Sequence, residues 1–137
     1  MMFDGFEAGC AARTVYGEAR GEGADGMKAV AHVLLNRLTD GRWGKSMGAV
    51  CLAPYQFSCW NPNDPNRKLM LGLFSGDQAL APAIAAFGDA NAEQQAGVDP
   101  TGGATHYYAD TIPVPNWTVG ATQTAHIGHH IFWRNVK

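Results

Sequence analysis

Met27, Val30, Ala31, Leu34, Leu35 and Leu38 recur with a helical period and form a strong apolar stripe. A helix carrying such a stripe must be buried against other apolar faces, so it anchors a core. The stripe predicts a helix from near Asp25, a plausible N-cap, to about Thr39. Its other face carries His32 and Asn36, one turn apart. Ahead of it, Ala8, Ala11 and Val15 mark a first helix from about Phe6 to Glu18 or Ala19, stopped by Gly21-Glu22-Gly23. Glu18 continues that apolar row and is one of only four glutamates in the chain. A carboxyl group on the inward side of a helix is costly to ionise. It is kept there either as an ion pair, with Arg13 or Arg20 as partner, or because chemistry needs a raised pKa.

The chain has 137 residues, enough for one domain with a real core, and we read residues 1–137 as that single domain. Hydrophobic residues make up 46% and charged residues 16%, which describes a globular chain. The net charge of −2 comes without a basic run or basic helix face, so nothing marks a nucleic-acid partner. No apolar run approaches the ~20 residues of a membrane span, so no membrane insertion is expected. Met1 to Glu7 carries acids where a secretory signal has basic and then apolar residues. The expectation is a monomer made in the cytoplasm, and if it works outside the cytoplasm something else must let it out. Cys10, Cys51 and Cys59 have no zinc-type spacing; Cys51 and Cys59 could close a short loop, but reduced thiols are the expectation.

A short helix is predicted over Ser46 to Leu52, another over Arg67 to Phe74, and a longer one from Asp77 to about Gln95 with Pro82 in its first turns. Between them, Ala53 to Asn66 holds three prolines and three asparagines and reads as loop, yet it carries Tyr55, Phe57 and Trp60. Asp99-Pro100-Thr101-Gly102-Gly103 is a turn. Ala104 to Tyr108 reads as a short strand, Ile112 to Trp117 as an extended loop, and Ala125 to Trp133 as strand around Gly128. The fold class expected is α+β, mainly helical, with a small C-terminal β/loop region.

Aromatic rings cover the C–H faces of sugars, and amides and hydroxyls hold sugar OH groups. A groove near Glu18 lined by Tyr16, Gln56, Phe57, Ser58, Trp60, Thr105, His106, Tyr107 and Trp117 suits a saccharide. For any one of these aromatics, packing under a loop is the simpler reading; three such loops in one small domain favour the groove. His106, His126, His129 and His130 raise a metal site, but no HExxH-like motif is present. His129 and His130, adjacent in the expected strand, would point to opposite faces. No metal and no cofactor are therefore expected. A Ser or Cys nucleophile system has no supporting motif.

Ala12 to Glu22, with Tyr16-Gly17-Glu18-Ala19-Arg20-Gly21-Glu22 at its centre, is followed by Gly26 and by Ala29 to Arg37. Together these blocks resemble the catalytic domain of the spore-cortex-lytic cell wall hydrolases of the SleB/CwlJ type. Gln56-Phe57-Ser58, Gly103 to Tyr108 and Ile127 to Phe132 match the same pattern, so the resemblance runs from about Ala12 to Arg134. It implies a lysozyme-like fold and cleavage of peptidoglycan glycan strands between N-acetylmuramic acid and N-acetylglucosamine. Glu18 matches the family's catalytic acid/base, often in a lytic transglycosylase reaction. Two departures stand out: neither a signal nor a wall-binding domain is recognised, and His129 stands where asparagine is common. The first departure resembles a phage or prophage endolysin more than a germination enzyme.

A glycosidase usually needs two carboxylates, and none is singled out as partner for Glu18, although Asp64, Asp99 and Asp110 lie in loops. A lytic transglycosylase works with one. Against this preferred reading stand a hydrolytic muramidase with a second carboxylate, a metal-dependent amidase or peptidase acting through the histidines, and a non-catalytic saccharide-binding module.

Overall fold

The computed structural model describes residues 2–53, 56–73 and 76–137. Tyr55 and Phe74, named above as a loop aromatic and a helix end, lie outside the described residues. Helix α1 spans Gly5–Ala19 and opens on Asp4, whose carboxylate accepts from the Glu7 N–H at 2.8 Å. Helix α2, Gly23–Asp40, follows after only three residues. It starts two residues before Asp25, so Asp25 falls in the first turn, where its charge suits the helix dipole. Gly41, at φ 88°, closes α2 in the left-handed conformation that glycine adopts without strain. Then come α3 (Met47–Leu52), α4 (Pro65–Leu71) and α5 (Ala81–Gln95), with Pro82 in the first turn of α5.

Val15, Val30, Leu34, Met47, Val50, Met70 and Leu80 are fully buried between α1, α2, α3, α4 and α5. Each large aliphatic side chain so buried contributes about 1.5–3 kcal/mol. A second, smaller cluster joins Ala29 and Val33 of α2 to Ala104 and Phe132. Helix α2 is therefore buried on two sides, by helices on one and by a sheet on the other. The face that carries His32 and Asn36 is covered too. His32 is completely covered; its Nε2 lies 2.8 Å from Glu93 and its Nδ1 3.0 Å from Gln94. Asn36 donates to Asp99 at 2.9 Å and to the Ala104 carbonyl at 2.8 Å, which ties the turn after α5 to α2.

The sheet has three antiparallel strands in the order β1-β3-β2: β1 His106–Ala109, β2 Thr122–Ile127 and β3 His130–Arg134. The single strand expected over Ala125 to Trp133 is in fact a hairpin, because Gly128 at φ 59° turns the chain back. His129 consequently sits in the turn rather than in a strand, which corrects the alternation expected for His129 and His130. The architecture is the mainly helical α+β body with a small C-terminal sheet.

Candidate active site

Glu18 lies in the last turn of α1, half-buried, on the row that buries Ala11 and Val15 completely. The Tyr107 hydroxyl donates to its Oε1 at 3.0 Å, and the Cys59 thiol and backbone N–H donate to the same carboxyl. Burial raises its pKa above the usual carboxylate range, the donors from Tyr107 and Cys59 pull it back in part, and Asp64 pushes it up again. The net direction is upward. Neither arginine of the ion-pair alternative is bonded to it: Arg13 donates from Nε and Nη2 to the Leu73 carbonyl, and Arg20 donates to Asn66 at 2.9 Å. Burial also lifts the Tyr107 phenol and the Cys59 thiol well above their ordinary values, so both stay protonated donors.

The motif around Glu18 has a packing reason at several positions. A Cβ at Gly17 would meet Met70 Sδ and lie 2.8 Å from Cys59 Cβ, so glycine is what lets Cys59 approach the carboxyl. Arg20 covers the Tyr16 ring at 5.2 Å. Glu22 reaches across to the sheet, where its Oε1 accepts from the His129 backbone N–H at 2.8 Å.

The expected lining residues divide. Tyr107 is at the carboxyl. Ser58 is exposed next to Cys59, and Tyr16 is half-buried two residues back on α1, about half a turn from Glu18. Adjacent strand residues point to opposite faces, so His106 turns away from Tyr107. Its ring meets Trp43 and Trp117 at 5.4 and 5.1 Å, and Trp117 in turn packs on Tyr108 and Trp133. His106 and Trp117 therefore belong to an aromatic face of the sheet opposite the Tyr107 face, a correction to the single groove expected. Burial and the nearby Arg37 and Arg42 hold His106 neutral, with a pKa down to about 4.

Three further residues change role. Phe57 is buried under the Arg37 guanidinium, 4.9 Å from its ring centre, and is core. Thr105 is buried; its carbonyl accepts from Arg37 Nε at 2.6 Å and its hydroxyl lies 2.9 Å from His106 Nδ1. Trp60 packs against the core and donates to Thr14 at 2.8 Å. It lines a 630 Å³ cavity along the N-terminal half of α1 with Phe6, Arg13, Leu52, Arg67 and Leu71, and Glu18 is not among the residues lining it. Gln56 remains exposed, its carbonyl held by Arg37 at 3.2 Å and by the Trp43 indole at 3.1 Å.

Arg37, Trp43 and Cys59 were missed as site-shaping residues. Arg37 continues the buried row of Val30 and Leu34 at i+7, a periodic signal passed over because an arginine in the last turns of a helix is ordinarily read as solvated. It is nonetheless buried, and its pKa drops to about 10. The loop carboxylates are engaged structurally. Asp64 caps α4 through Asn66, Asp99 holds Thr101 and Asn36, and Asp110 pairs with His126 at 3.0 Å. Among the described residues no group of three His, Cys, Asp or Glu is placed to hold a metal ion. Cys10, Cys51 and Cys59 are free and buried.

Solved structures show the same fold. The catalytic domain of the germination-specific lytic transglycosylase SleB from Bacillus anthracis superposes with a TM-score of 0.73 at 30% identity, covering 95% of both chains. The catalytic domain of Bacillus cereus SleB gives 0.72 at 28% identity over 96% of this chain and 91% of that one. The lysozyme-like architecture implied by the resemblance is thus the fold observed. Spore cortex-lytic enzymes of Halalkalibacterium halodurans and Bacillus subtilis are each 30% identical over 128 residues, 88% of this chain. The chain spans about a third of their length, 32% and 35%. The cell wall hydrolase family model matches residues 21–133, and the chain belongs to that family.

Proposed function

We propose that this protein cleaves peptidoglycan glycan strands between N-acetylmuramic acid and N-acetylglucosamine as a lytic transglycosylase, with Glu18 as its acid and base. The observation that carries the reading is Glu18 itself. It is a carboxyl on an apolar helix row, raised in pKa by burial and oriented by Tyr107 at 3.0 Å. The SleB catalytic domain that shares this fold is named a lytic transglycosylase. In the first step protonated Glu18 gives its proton to the glycosidic oxygen and the bond to the muramic C1 breaks. The carboxylate so formed then takes the proton of the muramic C6 hydroxyl, whose oxygen closes onto C1. The product is a 1,6-anhydro end, no water is consumed, and Glu18 returns to its protonated form. A raised pKa serves the first step, and the donors from Tyr107 and Cys59 serve the carboxylate of the second.

Asp64 is the other carboxylate whose charge reaches Glu18, so the hydrolytic alternative rests on it. Digestion of purified peptidoglycan followed by mass spectrometry of the fragments separates the two. Anhydro-muramic ends are expected, and Glu18→Gln is expected to release nothing while remaining folded. Reducing ends would replace transglycosylation by hydrolysis, and an active Glu18→Gln would remove Glu18 from the chemistry.

A further inference from the structure

Glu22 is the second glutamate of the Tyr16 to Glu22 block, and the reaction above leaves it unused. Its side chain is only 11% exposed. It lies beneath the β2–β3 turn, where a Cβ on Gly128 would fall 3.3 Å from its Oε1. That same oxygen accepts from the His129 N–H at 2.8 Å and lies 3.5 Å from Nδ1 of His130. His130 Nδ1 has no hydrogen-bond partner of its own among the described residues, so this oxygen is the acidic group it faces. The His130 ring packs against the Tyr107 ring, centre to centre 4.7 Å, and the Tyr107 hydroxyl ends on Glu18. A continuous line of contacts therefore runs from Glu22 through His130 and Tyr107 to the reacting carboxyl.

We propose that Glu22 is a positioning residue: by holding the hairpin turn and the His130 ring, it keeps the Tyr107 phenol on Glu18. This rests on Glu18 being the acid. Glu22 is consumed by contacts inside the protein and is not the missing second carboxylate. A purely structural cap on the turn would lower stability without any special link to Tyr107. A positioning role links the two residues in the rate itself, because each acts through the same hydrogen bond.

The experiment is a double-mutant cycle on Glu22→Ala and Tyr107→Phe, reading kcat and KM on soluble peptidoglycan glycan strands, with Glu18→Gln in the same series. Glu22→Ala alone is expected to lower kcat about tenfold, with KM within about twofold. In the Tyr107→Phe background the same change should cost less than about twofold. Glu22→Gln keeps an oxygen acceptor for the His129 N–H and is expected to recover most of the rate. If Glu22→Ala does not fold, the cycle is run with Glu22→Asp, one methylene too short to reach the turn. Full additivity of the two losses overturns the proposal, as does a change confined to KM. An active Glu18→Gln would instead remove the acid itself, which is a different failure from an additive cycle with Glu18→Gln inactive.

Discussion

Tyr107→Phe removes one oxygen from the protein and should shift the pH at which it works. The phenol donates to Glu18 at 3.0 Å, and a donor to a carboxylate favours its ionised form. Burial acts in the opposite sense and is the larger influence, since the net pKa of Glu18 is raised. With the donor gone, burial acts with less opposition and the pKa rises further. A hydrogen bond to a charged group is worth about 1.5–3 kcal/mol, and one pKa unit corresponds to about 1.4 kcal/mol. The shift is therefore about one to two units at most, less where water or the remaining Cys59 donors take over. Glu18 must be protonated to start the reaction, so the basic limb of kcat/KM follows its pKa upward by the same amount. The phenol does not confuse the profile, because its own pKa lies well above the ordinary range. At acid pH, where Glu18 is protonated, the fold should change by no more than about 1 kcal/mol, since the phenylalanine ring keeps its packing against His130 and Phe132; the cost of the lost donor appears only where Glu18 is ionised. Clearing of purified peptidoglycan suspensions at constant ionic strength from acid to alkaline pH measures the limb directly. A basic limb that stays in place or moves down refutes the reasoning.

Glu18→Gln should make the protein more stable at neutral pH and not at low pH. A carboxyl raised in the folded state stabilises fully below its ordinary pKa of 4.5 and loses that contribution as pH climbs through the raised value. The glutamine variant is spared this loss, so the gap in Tm should open as pH rises from about 4.5; a gap independent of pH would contradict the burial argument. Gly17→Ala forces a methyl toward Met70 Sδ and to 2.9 Å from Cys59 Sγ. It should cost about 1–3 kcal/mol in denaturant unfolding and lower activity with it, and an unchanged unfolding midpoint would show that the packing yields freely.

The stripe on α2 and the row from Ala11 to Glu18 were legible because a helix repeats its faces by spacing alone, whatever it later packs against. The same spacing set His32 and Asn36 on the other face of α2 without saying what covers them. Only the tertiary structure shows that α5 and the Asp99 turn bring Glu93, Gln94 and Asp99 to cover that face. The β hairpin was read as one strand because strand-forming residues flank Gly128 on both sides, and the turn takes up only Gly128 and His129.

Local sequence determined the helices, the glycine stop that ends α1, and the placing of Glu18 on an apolar row, since each depends on residues within a few turns of one another. The partners of Glu18 depend on chain closure. Cys59 arrives from a loop 41 positions away and Tyr107 from a strand 89 positions away, and no spacing rule joins them to α1. The division of the aromatics was likewise settled by the sheet, because pleating sends Tyr107 to the carboxyl and its neighbour His106, with Trp117, to the far face. A raised pKa is a property of surroundings, and the tertiary structure supplied those surroundings.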